Sequence, residues 1–136
     1  MKNLTLFLVI SACLLGYAGC EKKKSERFKL LTTPVWATDT LLANGVDASR
    51  PGGILERFKG NAKFKEDGTG YFGKFTGQWR FNLEETKITI VTDSLPWPIN
   101  CDIVLLTVQS LKITAPVQNP ANLQEILHIR MTFKAK

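Results

Sequence analysis

"RFKGNAKFKEDGTGYFGKF", residues 57–75, decides the fold class. Its first half alternates. Phe58, Gly60, Ala62 and Phe64 fall on one side of an extended chain; Arg57, Lys59, Asn61, Lys63 and Lys65 fall on the other. A period of two marks a half-buried strand, because successive side chains point to opposite faces of a sheet. Asp67-Gly68 then turns the chain, the glycine supplying the positive φ that a tight hairpin needs. Tyr71–Phe75 resumes the strand, and a break is expected at Thr76-Gly77. Gly68–Gly73 spells GxGxxG, but a dinucleotide fingerprint needs a strand before it and a helix after it, and this one lies in a hairpin.

The same alternation runs outward in both directions. "QWRFNL" (78–83) puts Trp79, Phe81 and Leu83 inward, and "ITIVTD" (88–93) puts Ile88 and Ile90 inward. "SLPWPIN" (94–100) reads as a proline loop. "DIVLL" and "LKITA" read as strands, "PVQNPAN" (116–122) as a longer loop. "EILHIRMTFK" (125–134) closes the chain with Leu127, Ile129, Met131 and Phe133 on one face. "WATDTLLA" (36–43) is the first strand, after a short helical turn near Phe28–Leu31. About eight strands joined by short turns predict an all-β fold: an antiparallel up-and-down barrel, which leaves no exposed edge, or a two-sheet β-sandwich.

The N-terminus follows other rules. Lys2 precedes an uncharged run, Leu4–Gly19, with the length and polarity of a secretory signal. A transmembrane helix is the competing reading, although spanning takes roughly 20 apolar residues. Ala18-Gly19-Cys20 resembles the bacterial lipobox, which implies cleavage before Cys20 and acylation of that cysteine. Cys13 is a rival acylation site, but it leaves too short an apolar run before it. The expected organisation is a signal peptide at 1–19, a lipidated cysteine and basic tether at 20–34, and a barrel domain at 35–136. The full chain carries +6, and the tether holds five Lys or Arg (22, 23, 24, 27, 29) against Glu21 and Glu26. Such a stretch beside an acyl anchor suits an anionic lipid surface. Once Cys13 has left and Cys20 is acylated, Cys101 is the single thiol, expected as a small buried hydrophobe rather than a reactive group.

The order "FKEDGTG" (64–70), "GQWRF" (77–81), "ITI" (88–90) and "LLTVQSLKI" (105–113) resembles the lipocalin-like domains of small Bacteroidetes-type lipoproteins. The resemblance implies a lipid-anchored, palmitate-type lipoprotein of the cell envelope, on the outer membrane and facing the periplasm, whose barrel binds a small hydrophobic ligand. Candidate lining residues are Trp36, Phe58, Phe64, Trp79, Phe81, Ile90, Leu111, Ile129, Met131 and Phe133, with Trp97 at the mouth. Two outcomes stay open: a pocket of ~300 Å³ or more, or a barrel filled by its own rings, which fits an inhibitor or accessory module that binds an envelope protein.

Catalytic chemistry is poorly supplied, and no enzyme activity or cofactor is expected. His128 is the single histidine and is placed outward; no Gly-x-Ser-x-Gly elbow and no metal-ligand spacing occur. Asp39, Asp93 and Asp102 are the carboxylates that could share a rim. Nucleic acid is not expected as a partner, because the lysines and the rings of 57–75 face opposite sides, so a base cannot stack where its phosphate would meet those charges.

Overall fold

The structure, a computed structural model, describes residues 23–136. The expected signal at 1–19, with Cys13, and the acylation site Cys20 lie outside the described residues. The elements, in order, are α1 (Glu26–Thr32), β1 (Trp36–Ala43), β2 (Val46–Asp47), a 3-10 turn (Glu56–Phe58), β3 (Asn61–Phe64), β4 (Thr69–Phe72), β5 (Phe75–Phe81), β6 (Lys87–Thr92), β7 (Ile99–Leu106), β8 (Ser110–Asn119) and β9 (Asn122–Ala135). Each strand pairs antiparallel with its sheet neighbours, and β1 closes on β9 from Trp36↔Ala135 to Ala43↔Ile129. β1 and β3–β9 therefore make a closed eight-stranded barrel, with β2 a spur on β1. Closure excludes the two-sheet sandwich.

Inward positions form one apolar core that includes Trp36, Phe64, Phe72, Trp79, Ile88, Ile90, Leu111, Ile113 and Met131. Phe64 meets Phe72 and Trp79 edge-on at centroid distances of 5.2 and 5.6 Å. These T-shaped contacts suit the ring quadrupoles. Cys101 is fully buried, and burial pushes its thiol pKa up to about 12.

Four local expectations change. The strand read at 57–65 begins only at Asn61; residues 56–58 form the 3-10 turn, and Gly60 (φ 123°) reverses the chain between them. Phe58 is nonetheless buried, delivered to the core by a loop. No break occurs at Thr76-Gly77. The hairpin turns at Gly73-Lys74, where Gly73 has φ 60° and Phe72 pairs with Phe75. Gly77 instead faces inward where β5 and β6 approach closely: a Cβ there would lie 1.9 Å from the Val91 carbonyl oxygen. Leu83, read as inward, is fully exposed in the β5–β6 turn.

The fourth change concerns "PVQNPAN". Most of it is strand, because β8 stays paired with β9 to Gln118↔Ile126 and turns only at Asn119–Asn122. Pro116 fits for a definable reason. Asn44 N–H donates to the His128 carbonyl, and His128 N–H donates to Asn44 Oδ1. The backbone groups of His128 thus face β1, so those of its partner Pro116 face away from β9. On that side β7 has already left: the β7–β8 ladder stops at Asp102↔Thr114. A missing N–H costs nothing where no acceptor waits.

Helix α1 covers one end of the barrel. Ser25 caps it, accepting from Phe28 N–H at 3.0 Å and donating to Glu85 at 2.5 Å. Phe28 packs on Trp79, centroids 5.7 Å apart, and Leu31 is fully buried. Lys63, expected on a solvated stripe, donates instead to the carbonyls of Thr32, Thr33 and Pro34 at 2.6, 2.9 and 3.2 Å. It thereby satisfies acceptors left unpaired at the helix C-terminus. Much of the stretch read as a tether is therefore packed against the domain.

Candidate functional site at the open end of the barrel

The connections divide between two ends. The β3–β4, β5–β6 and β7–β8 turns lie at the closed end with α1. The β4–β5, β6–β7 and β8–β9 connections lie at the open end, with the long segment from Asn44 to Gly60. That segment begins with Asn44-Gly45, both at positive φ (49° and 80°), as a two-residue hairpin between Ala43 and Val46 requires. This Asn-Gly signal is visible in the sequence and marks β2.

The candidate lining residues do converge. Trp36, Phe58, Phe64, Trp79, Ile90, Leu111, Ile129, Met131 and Phe133 are all buried inside the barrel. Phe81 is only half-buried, at the closed-end margin, edge-on to Trp79 at 5.4 Å. Both interior tryptophans have hydrogen-bond partners: Trp36 Nε1 donates to Leu31 O at 3.0 Å and Trp79 Nε1 to Lys65 O at 2.8 Å. The rings fill the space they surround. The void at the barrel centre, between Phe58, Phe64, Phe72, Ile113, Met131 and Phe133, is ≈ 10 Å³. A single water needs about 10–15 Å³ by the same measure, so the centre has room for one water at most.

At the open end a second apolar hollow of ≈ 70 Å³ lies under Trp97, between Leu55, Phe58, Leu95, Ile99, Val117 and Met131. Ligand pockets run to roughly 300–1,000 Å³, so this socket holds the end of one side chain rather than a whole small molecule. Ile54 and Pro120 stand at its rim. Beyond the rim Val46, Leu123 and Ile126 are exposed, at 69, 60 and 48 %. The sequence reading placed Trp97 here but missed Leu55, Leu95 and Val117. Their signal was apolar residues inside segments otherwise made of turn formers, "PGGILERF", "DSLPWP" and "APVQNP".

Phe58 separates the two hollows, since it and Met131 border both. Its ring meets that of Phe75 at a tilt of 43°, centroids 4.5 Å apart, and the Arg57 guanidinium lies over the Phe75 ring, 4.6 Å from its centroid. The loop that carries Phe58 is tied to the barrel through Ala48 N–H to Leu41 O, Lys74 N–H to Arg57 O and the bonds between Gly60 and Thr38.

The carboxylates read as sharing a rim are dispersed. Asp39 lies 3.5 Å from Lys134, Asp93 is next to Thr76, and Asp102 pairs with Lys87 at 2.7 Å. Among the described residues no three His, Cys, Asp or Glu side chains converge to hold a metal ion. His128 points outward, as expected, into an open groove of ≈ 730 Å³ on the outer wall with Leu42, Asn44, Thr114 and Arg130. Among the described residues no helix is long and apolar enough to cross a membrane.

No family model matches the chain, and no curated protein is significantly similar to it.

Proposed function

We propose that this protein is a lipid-anchored envelope lipoprotein, acylated at Cys20, whose barrel is a scaffold for a protein contact at its open end rather than a carrier for a buried ligand. The observation that supports this reading is the filled interior: ≈ 10 Å³ of void at the centre and a socket of ≈ 70 Å³ beneath Trp97. A fully buried Leu or Phe side chain is worth roughly 1.5–3 kcal/mol, so a single apolar residue from a partner seated in the socket makes a credible anchor. Ile54, Leu123 and Ile126 would surround it as a water-excluding rim. The reading assigns the protein no chemistry and no cofactor.

A photo-crosslinking residue at position 97, in cells, tests this. It should give one discrete protein adduct, which the same residue at Arg80 on the outer wall does not give and which Val117→Trp, filling the socket, abolishes. A small-molecule adduct, or equal adducts from 97 and 80, would contradict it.

A second reading has its own support. Phe58 is loop-borne, and its withdrawal would join the two hollows, making room for a small apolar ligand. Phe58→Ala would then bind an environment-sensitive apolar dye that the parent protein does not bind.

A further inference from the structure

Lipid anchoring fixes more than location, because the free tether is short. Ser25 is tied to Glu85 in the β5–β6 turn, and Arg27 donates to the Glu85 carbonyl at 2.9 Å. Only five residue-to-residue steps, through four intervening residues, separate Cys20 from Ser25. At roughly 3.3–3.6 Å per residue they span at most about 18 Å. An acylated Cys20 therefore holds the closed end near the bilayer. The strands of the barrel, 6–14 residues long in β5 to β9, carry the open end away from it.

Two further observations fall on the same end. Leu83, at the tip of the β5–β6 turn, and Val108, at the tip of the β7–β8 turn, are the two most exposed large apolar side chains among the described residues, at 104 and 71 %. Val104, in the last part of β7, is 56 % exposed nearby. Charge is asymmetric along the barrel axis. Closed-end segments (23–34, 63–67, 82–87 and 134–136) hold nine Lys or Arg against five Asp or Glu; open-end segments (44–61, 73–76, 91–98 and 116–128) hold four against four. Glu85 is engaged by Ser25, while Lys24, Lys87 and Lys134 pair with Glu66, Asp102 and Asp39 and Lys63 holds the end of α1, which leaves Lys23, Arg27, Lys29, Lys65 and Lys136 without an acidic partner among the described residues.

We infer that the closed end is itself a bilayer-contact face, with Leu83 and Val108 resting among the headgroups of an anionic phospholipid surface and the open end directed away from the membrane. This rests on the reading of Cys20 as acylated. Exposed apolar tips on the end of the barrel that carries the excess of cations match the two terms of interfacial binding, burial of apolar area and attraction to anionic lipid. The same placement leaves the Trp97 socket free for a partner.

The test uses the full chain, exported and processed in a bacterial host, then reconstituted in vesicles of phosphatidylethanolamine and phosphatidylglycerol. Single cysteines Leu83→Cys, Val108→Cys and Leu123→Cys are labelled with a fluorophore; Cys101 is buried and does not compete. A headgroup-level spin-labelled lipid should quench positions 83 and 108 at least threefold more than 123. The difference should shrink in vesicles without phosphatidylglycerol. Equal quenching at all three positions, in protein whose mass shows an acylated Cys20, would overturn the contact face alone. A mass without acyl chains would remove the anchoring reading, and the contact face with it.

Discussion

Trp36 donates its indole N–H to the carbonyl of Leu31 at 3.0 Å, and both side chains are fully buried. The bond ties the start of β1 to the last turn of α1, so helix and barrel are one cooperative unit rather than a barrel with an appended tether. Trp36→Phe removes the donor and leaves a void beside Leu31. Loss of a buried partner and of ring volume should together cost about 2–4 kcal/mol, read as a lower urea midpoint at unchanged slope.

Lys63 makes the second tie. Lys63→Met keeps much of the stem but leaves three carbonyls of Thr32, Thr33 and Pro34 without their donor. The site is partly open to water, so the expected cost is about 1–2 kcal/mol. Lys59→Met, on the adjacent loop with no such bond, should change stability by less than about 0.5 kcal/mol. Equal effects from the two substitutions, in the same denaturation experiment, would count against the capping role.

Thr92 offers a gain. It is 5 % exposed on the inner face of β6, and its hydroxyl is buried without a hydrogen-bond partner. Thr92→Val keeps the shape and removes the unpaired polar atom, and should stabilise the protein by about 1 kcal/mol. A lower melting temperature for Thr92→Val would show that the hydroxyl has a use inside the barrel.

Much of this was legible in the chain, and the losses have physical causes. Alternation located β1, the core faces of β6 and β9, and eight closing strands, because each has one face in oil and one in water. It misread Gly77 because glycine signals a turn in sequence, whereas here it permits two backbones to approach where the barrel bends. Pro116 misled in the same way: its missing N–H matters only if β7 is still alongside, which is a tertiary fact. Phe58 kept its burial but not its strand, since an alternating pattern does not distinguish a strand from a loop that folds its ring inward. The size of the interior was beyond pattern altogether, since it depends on how the rings interlock.

Cys101 links pH to stability. Its folded pKa, about 12, lies above the ordinary thiol value of 9.0 because burial disfavours the thiolate. Above pH 9 the unfolded chain sheds this proton while the folded chain keeps it. The thiol's contribution is therefore whole below pH 9 and declines as pH rises towards 12. The stability difference between the parent protein and Cys101→Ala, followed from pH 8 to 11, should narrow with rising pH. A constant or widening difference would contradict a buried neutral thiol.

The central claim is that the barrel is filled by its own side chains. Native mass spectrometry of the protein purified from its own host tests it most directly. The predicted spectrum shows the chain, with whatever covalent groups it carries, and no further small molecule. A stoichiometric, non-covalently retained apolar molecule, lost on denaturation, would contradict the claim and return the barrel to the role of carrier.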